Sequence, residues 1–150
     1  PYHRAPARFA ARLDRELPPA AAGTITGRSV GVVSASAHEA YLRSFFPGAE
    51  VRALPNLPAA QAALRRGEIA YLFADGLALA VWIGGLESQG CCALSGGAYL
   101  ESRYFGEGVA FLFRREDDAA RRAFDYALQR LWDEGRYADL YLRFFPVGLY

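Results

Sequence analysis

Residues 29–46 read "SVGVVSASAHEAYLRSFF", and the fold turns on how this stretch divides. Ser29 to Val33 is short, uncharged and mostly apolar, the pattern of a strand buried on both faces of a parallel sheet. Glu39 to Phe46 has helical spacing, with Tyr41, Leu42, Phe45 and Phe46 on one side, and Pro47-Gly48 stops it. Between them, Ser36 and Glu39 fit an S-x-x-E capping box. Ser36 is expected to cap the helix while Glu39 reaches back to the backbone N–H of Ser36. That leaves free N–H groups near Ala37 and His38, with the positive end of the helix behind them, a setting that suits a carboxylate or a phosphate. The glycines of a phosphate-binding loop or dinucleotide fingerprint are missing, and the chain has no Lys, so a small carboxylate is favoured over a nucleotide.

The same unit recurs on both sides. "AEVRAL" (49–54) is predicted as a strand, Pro58 to Arg66 as a helix, "IAYLFA" (69–74) as a strand and Gly76 to Ile83 as a helix. Upstream, "ARFAARL" (7–13) reads as a strand, followed by a Pro-, Gly- and Ala-rich linker. Strands alternating with helices through short loops predict right-handed crossovers and a parallel sheet, hence an α/β fold. After Gly84-Gly85 the chain turns Gly- and Ser-rich with short extended pieces. "VAFLFRR" (109–115) then reads as a strand, Glu116 to Glu134 as a long amphipathic helix ended by Gly135, and Tyr137 to Phe145 as a last helix.

Composition narrows the function classes. The chain of 150 residues is long enough for one ordinary core, and 53% apolar with 22% charged residues is a globular composition. A net charge of +1, with both signs spread along the chain, gives no nucleic-acid surface and no polybasic anchor. All 17 basic residues are Arg, which points to GC-rich coding more than to a choice of Arg for bidentate binding. No apolar run reaches the roughly 18 residues of a membrane-spanning helix. There is no Met, and Pro1 stands where an initiator would, so a processed product or an excised piece is expected. Cys91 and Cys92 are adjacent. Strand neighbours point to opposite faces and a ring joining them is strained, so two small buried thiols are expected.

In an open parallel sheet, ligands sit beyond the carboxyl ends of the strands. A second junction of that kind lies in "YLFADGLALAVWI", where Asp75 stands between an apolar strand and a helix. Asp75 can serve as a helix cap, or its carboxylate can pair with an ammonium. An anion site and a carboxylate on one rim together make a receptor for a zwitterion, the main-chain half of an amino acid. Catalytic constellations are thin. Ser36 and His38 are too close in sequence for nucleophile–base geometry, His38 is expected on the helix surface, and no metal-binding motif occurs. No cofactor and no metal are expected.

Five stretches in order resemble one family, the periplasmic solute-binding proteins of amino-acid ABC transporters. "PYHRAPARF" is similar to that family's "PYY…ARF", and "GRSVGVVSASAHEAYL" to its "GKRVGVQSGTTHEAYL". "LPAAQAALRRGEIAYLFADGLALAVWI" is similar to "L…AL..G.VDAVFGDALALAYWL". "YFGEGVAFLFRRED" resembles "YFGEGYGIAVRKGD", and "ALQRLWDEGRYADLYLRFF" the closing "AL..L..DGTYDKIYKKWF".

The resemblance implies the type II periplasmic-binding-protein fold, two α/β lobes that close on a ligand. It implies that Ser36 and Ala37 hold the ligand's carboxylate through backbone N–H, with Ser34 in the same loop, and that Asp75 holds its ammonium. Val33 and Ala74 fall at side-chain-selecting positions, both apolar here. Ala37 stands where the family commonly has Thr, so that contact rests on the backbone. By this reading residues 1–13 are an interdomain hinge strand and 14–103 the second ligand-binding lobe. Residues 104–150 are a return hinge strand with C-terminal helices belonging to a first lobe that is absent from the chain. The implied function is non-enzymatic capture of an L-amino acid in the periplasm and delivery to a membrane permease. The alternative is a ligand-sensing domain of the same fold. The apolar face over 116–145 would be covered by the missing first lobe or by self-association. Glu107, in "YFGEG", is the acid to suspect if a member of this fold were a dehydratase.

Overall fold

The computed structural model describes residues 1–145, which divide into two compact units, Ala5–Gly106 and the segment Pro1–Arg4 with the chain from Glu107 onward. The larger unit is built on one sheet. Its strands are β1 (Ala7–Arg12), β2 (Ser29–Val33), β3 (Glu50–Leu54), β4 (Tyr71–Asp75) and β5 (Cys92–Tyr99), in spatial order β3-β2-β4-β1-β5. The predicted parallel core is present: β2 runs parallel to both β3 and β4, with Val30 opposite Tyr71. β1 departs from it, lying antiparallel between β4 and β5 with Ala7 opposite Asp75 on one side and Tyr99 on the other. β5 is a full strand of eight residues where only short extended pieces were expected.

Helices cover both faces of the sheet. α1 (Ala37–Phe45) follows β2, α2 (Leu57–Arg66) follows β3 and α3 (Gly76–Gly84) follows β4. α4 (Ser102–Phe105) is a single short turn after β5. Strand alternation divides the core in two. Phe9, Tyr71 and Phe73 face α1 in a cluster with Val30, Val32, Tyr41, Leu42 and Phe46. Ala10, Leu72 and Ala74 face the other way, against Ala60, Leu64, Leu79 and Trp82. Phe9, fully buried, meets Phe73 at 4.5 Å and Phe46 edge-on at 5.4 Å. Complete burial of such a ring stabilises by about 2 kcal/mol.

Local chemistry explains the element ends. Asn56 caps α2, its Oδ1 accepting from Ala59 N–H at 2.9 Å. Gly67 closes the same helix in the left-handed region at φ +74°, where glycine carries no steric penalty.

The smaller unit contains α5 (Asp118–Asp133) and α6 (Arg136–Phe144), joined through Gly135 at φ +71°. Both are amphipathic, yet neither has a buried residue. The strand expected at 109–115 does not form. Only Val109 makes a bridge, to His3, and Leu112 is 98% exposed. The alternation of "VAFLFRR" suits a strand, but a strand exists only where a neighbour accepts its ladder. Glu107 is exposed and pairs with Arg4 at 2.8 Å.

One sequence expectation fails outright. Cys91 and Cys92 are joined in a disulfide and are not free thiols. The bond sits at the start of β5, where Cys91 O accepts from Leu13 N–H and Cys92 is buried against the α3 side of the core.

Candidate functional site

The carboxyl ends of β2 and β4 lie at one rim of the sheet because the two strands are parallel neighbours. β1 runs the other way, so Ala7 reaches that rim beside Asp75, and Gly76 N–H donates to Pro6 O at 2.8 Å. The loop after β2 and the start of α3 therefore share one edge, as the parallel pattern required. The disulfide lies at the opposite end, where Cys92 pairs with Arg12.

Val33, half-buried, ends β2 opposite Leu54, and Ser34 follows, exposed, with its N–H donating to Leu54 O at 2.8 Å. Ala35 takes φ +56°, a left-handed conformation that a non-glycine residue holds at a penalty of about 1 kcal/mol. Ser36 then caps α1: its Oγ accepts from Glu39 N–H at 3.1 Å and donates to Val33 O at 2.6 Å. The reciprocal half of the capping box is shifted by one residue. Glu39 Oε2 accepts from Ala35 N–H at 2.7 Å, not from Ser36. The left-handed turn at Ala35 points its own N–H back over the helix start, so the carboxylate meets it first. Arg43 also binds Glu39, and that hydrogen bond, followed by the one from Ala35, holds its carboxyl below the ordinary carboxylate value.

Ala37 is exposed at the first position of α1. The N–H groups of Ala37 and His38 meet no acceptor among the described residues, as the first turn of a helix dictates. Asp75 is half-buried and caps α3, its Oδ1 accepting from Ala78 N–H at 2.8 Å. Its other oxygen makes no hydrogen bond among the described residues, so one cap and one open acceptor coexist on a single carboxylate. Ala74 is 4% exposed and packs on the α2–α3 side of the core, so its side chain is withdrawn from the rim. The structure thus brings Ser36, Ala37 and Asp75 to one edge, with Ser34 and Val33 flanking and Ala74 behind.

Sequence reasoning missed two residues here. His38 is not a surface residue. It is half-buried, its ring edge-on to Phe73 at 5.8 Å and tilted against Phe105 at 5.0 Å. Burial pushes its pKa below the ordinary imidazole value, while the charge of Asp75 opposes that shift. The second is Arg8, 7% exposed in the middle of β1, which donates to Gly96 O at 2.9 Å and ties β1 to β5. Burial draws its pKa down against the opposing influence of Tyr99. Of the two cations in "ARFAAR", Arg8 is the one enclosed within the strand, Arg12 standing at its end, and that was the available signal.

Among the described residues no group of His, Cys, Asp and Glu could hold a metal ion, and no helix is long and apolar enough to cross a membrane.

The chain matches no protein-family model. It is 26% identical over 129 residues to the lysine/arginine/ornithine-binding periplasmic protein of Escherichia coli (strain K12), covering 85% of this chain and 50% of that protein. The chain therefore spans about half the length of the curated relative it matches. Among solved structures, the unliganded open L-cystine solute receptor of Neisseria gonorrhoeae matches 97% of this chain and 57% of its own, with a TM-score of 0.72 at 17% identity. Domain 2 from TmArgBP is covered over 95% of its length by 61% of this chain, with a TM-score of 0.54 at 16% identity. The periplasmic VFT2 domain of Bordetella pertussis BvgS matches 67% of this chain and 41% of its own, with a TM-score of 0.57 at 22% identity. The chain has the solute-binding-protein fold of the amino-acid-binding periplasmic proteins.

Proposed function

We propose that this chain supplies one wall of a receptor for an L-amino acid in the periplasm, acting without catalysis and serving an ABC permease. The observation that carries the reading is the shared rim. The helix start at Ser36–His38 presents backbone N–H groups to a carboxylate, and the open oxygen of Asp75 faces an ammonium on the neighbouring parallel strand. Ser34 and Val33 flank the carboxylate half, and Ala74 acts only by keeping the strand end small. The names of relatives that bind basic amino acids or L-cystine support an amino-acid ligand without selecting one.

The unit Ala5–Gly106 corresponds in this reading to the second lobe, which the likeness to domain 2 from TmArgBP supports. The first lobe closes the other side of the ligand, and a ligand that touches both lobes only when they are closed shifts that population. Closure pivots where the units divide, at Arg4–Ala5 and Gly106–Glu107, rather than within β1, whose backbone is paired on both sides. The likeness to the BvgS domain favours one second reading, a ligand sensor.

Calorimetric titration of the chain with its first lobe restored, against each common L-amino acid, tests the reading, with Asp75→Ala as control. Micromolar or tighter binding is expected, and the substitution should weaken it at least a hundredfold, a loss of about 3 kcal/mol. Equal binding by Asp75→Ala would reduce Asp75 to a helix cap and overturn the site.

A further inference from the structure

His38 is a half-buried imidazole that the zwitterion reading leaves without a task. It projects from the first turn of α1 onto Phe73. Phe73 and Asp75 are two apart on β4, so their side chains leave the sheet on the same face. The carboxylate that caps α3 is therefore on the side His38 occupies, and its charge reaches the ring. The other elements around His38 offer it no charge. α4 covers the ring with Phe105, and the Glu101 carboxylate at its start accepts from Arg103 N–H at 3.4 Å. On α1 itself, Glu39 is turned to Arg43 and Ala35 N–H. No hydrogen bond joins the His38 ring to any described residue.

We propose that His38 is a positioning residue of the amino-acid site, a second acceptor beside Asp75 for the ligand's ammonium, which works only while its imidazole is neutral. The inference rests on the reading of Asp75 as the ammonium partner. A neutral imidazole has one nitrogen free to accept, and burial favours that form. An ammonium bound at Asp75 cancels the negative charge that helps His38 hold a proton. By reciprocity, a proton on His38 must weaken the ammonium's binding. Two cations then compete for one carboxylate in a half-buried setting, and the ligand is the one that can leave.

Two measurements, on the chain with its first lobe restored, test this. The first is NMR titration of His38 in the wild type and in Asp75→Asn, which neutralises the carboxylate and retains a side chain that can cap α3. The imidazole should titrate at lower pH in the variant, and an unchanged titration overturns the inference. The second is amino-acid affinity against pH in the wild type and in His38→Gln. Wild-type affinity should fall by up to roughly tenfold per pH unit below the imidazole's own titration point, and His38→Gln should flatten that fall. An Asp75-dependent amino acid bound with the same pH profile in both proteins overturns the role of His38 and leaves the receptor reading intact. Failure of every amino acid to bind, with His38 still sensing Asp75, overturns the receptor reading and the ammonium partner together.

Discussion

Ser36 shows how much a single side chain does at the rim. Its hydroxyl accepts from the third residue of the helix turn and donates to the last carbonyl of β2, so it closes the strand and opens the helix at once. Ser36→Ala should destabilise the chain by about 1 kcal/mol, read as a lower denaturant midpoint at unchanged slope. Glu39 adds a pH dependence. Its folded pKa is depressed by Arg43 and by Ala35 N–H, so its contribution is present above the ordinary value of 4.5 and is lost as pH falls through the lower folded value. Stability of the wild type should therefore decline below that pH more steeply than that of Glu39→Gln, as thermal melts across the acid range will show. At this scale the sequence was legible where a residue acts on its neighbours, as Ser36 and Asp75 do. It was not legible at His38, whose burial depends on Phe105 at the far end of the unit. Nor was it at Ala35, whose left-handed turn steals the carboxylate intended for Ser36.

Elements follow the same division. The bounds of α1, α2 and α3 were readable to within a residue or two because caps and apolar spacing are local signals. β1 was readable as a strand but not as an antiparallel one, since its direction is settled by partners distant in sequence. β5 was obscured by its glycines. Gly96, at φ +72°, is needed there: a Cβ would lie 2.0 Å from the carbonyl oxygen of Ala20. Gly96→Ala combines a positive φ with backbone overlap and should destabilise by about 3 kcal/mol, measurable by chemical denaturation. The Cys91–Cys92 bond at the start of that strand closes a very small ring, and the entropy such a loop removes from the unfolded chain is only on the order of 1 kcal/mol. Reduction should lower the melting temperature by only a few degrees, and a collapse of the fold on reduction would show that the bond organises β5.

The whole molecule is legible in its class and less so in its arrangement. Alternation of strands and helices gave the α/β sheet, and the shared rim followed from two parallel neighbours. The helices after 117 read correctly as amphipathic, whereas 109–115 read as a strand and is not one, because pattern alone does not supply a partner. α5 and α6 carry Tyr126, Trp132, Leu140, Leu142 and Phe144 at 51% exposure or more. Leu140 and Phe144 lie one turn apart on the same face of α6, and an exposed apolar face of this kind associates. The chain should sediment with a mass that rises with concentration, and Leu140→Asp with Phe144→Asp should return it to a monomer. A wild-type chain that stays monomeric throughout removes this expectation.

β1 has one more consequence, in time rather than in space. It can pair on one edge only after Tyr71–Asp75 has been made, and on the other only after Cys92–Tyr99. Pairings so distant in sequence form slowly, because loop closure must precede any contact that rewards it. The strands β3, β2, β4 and β1 can therefore join once residue 75 is made, and β5 closes the sheet last. Until residue 99 has emerged, β1 presents one unpaired apolar edge, which is the part of the nascent sheet open to capture by a chaperone.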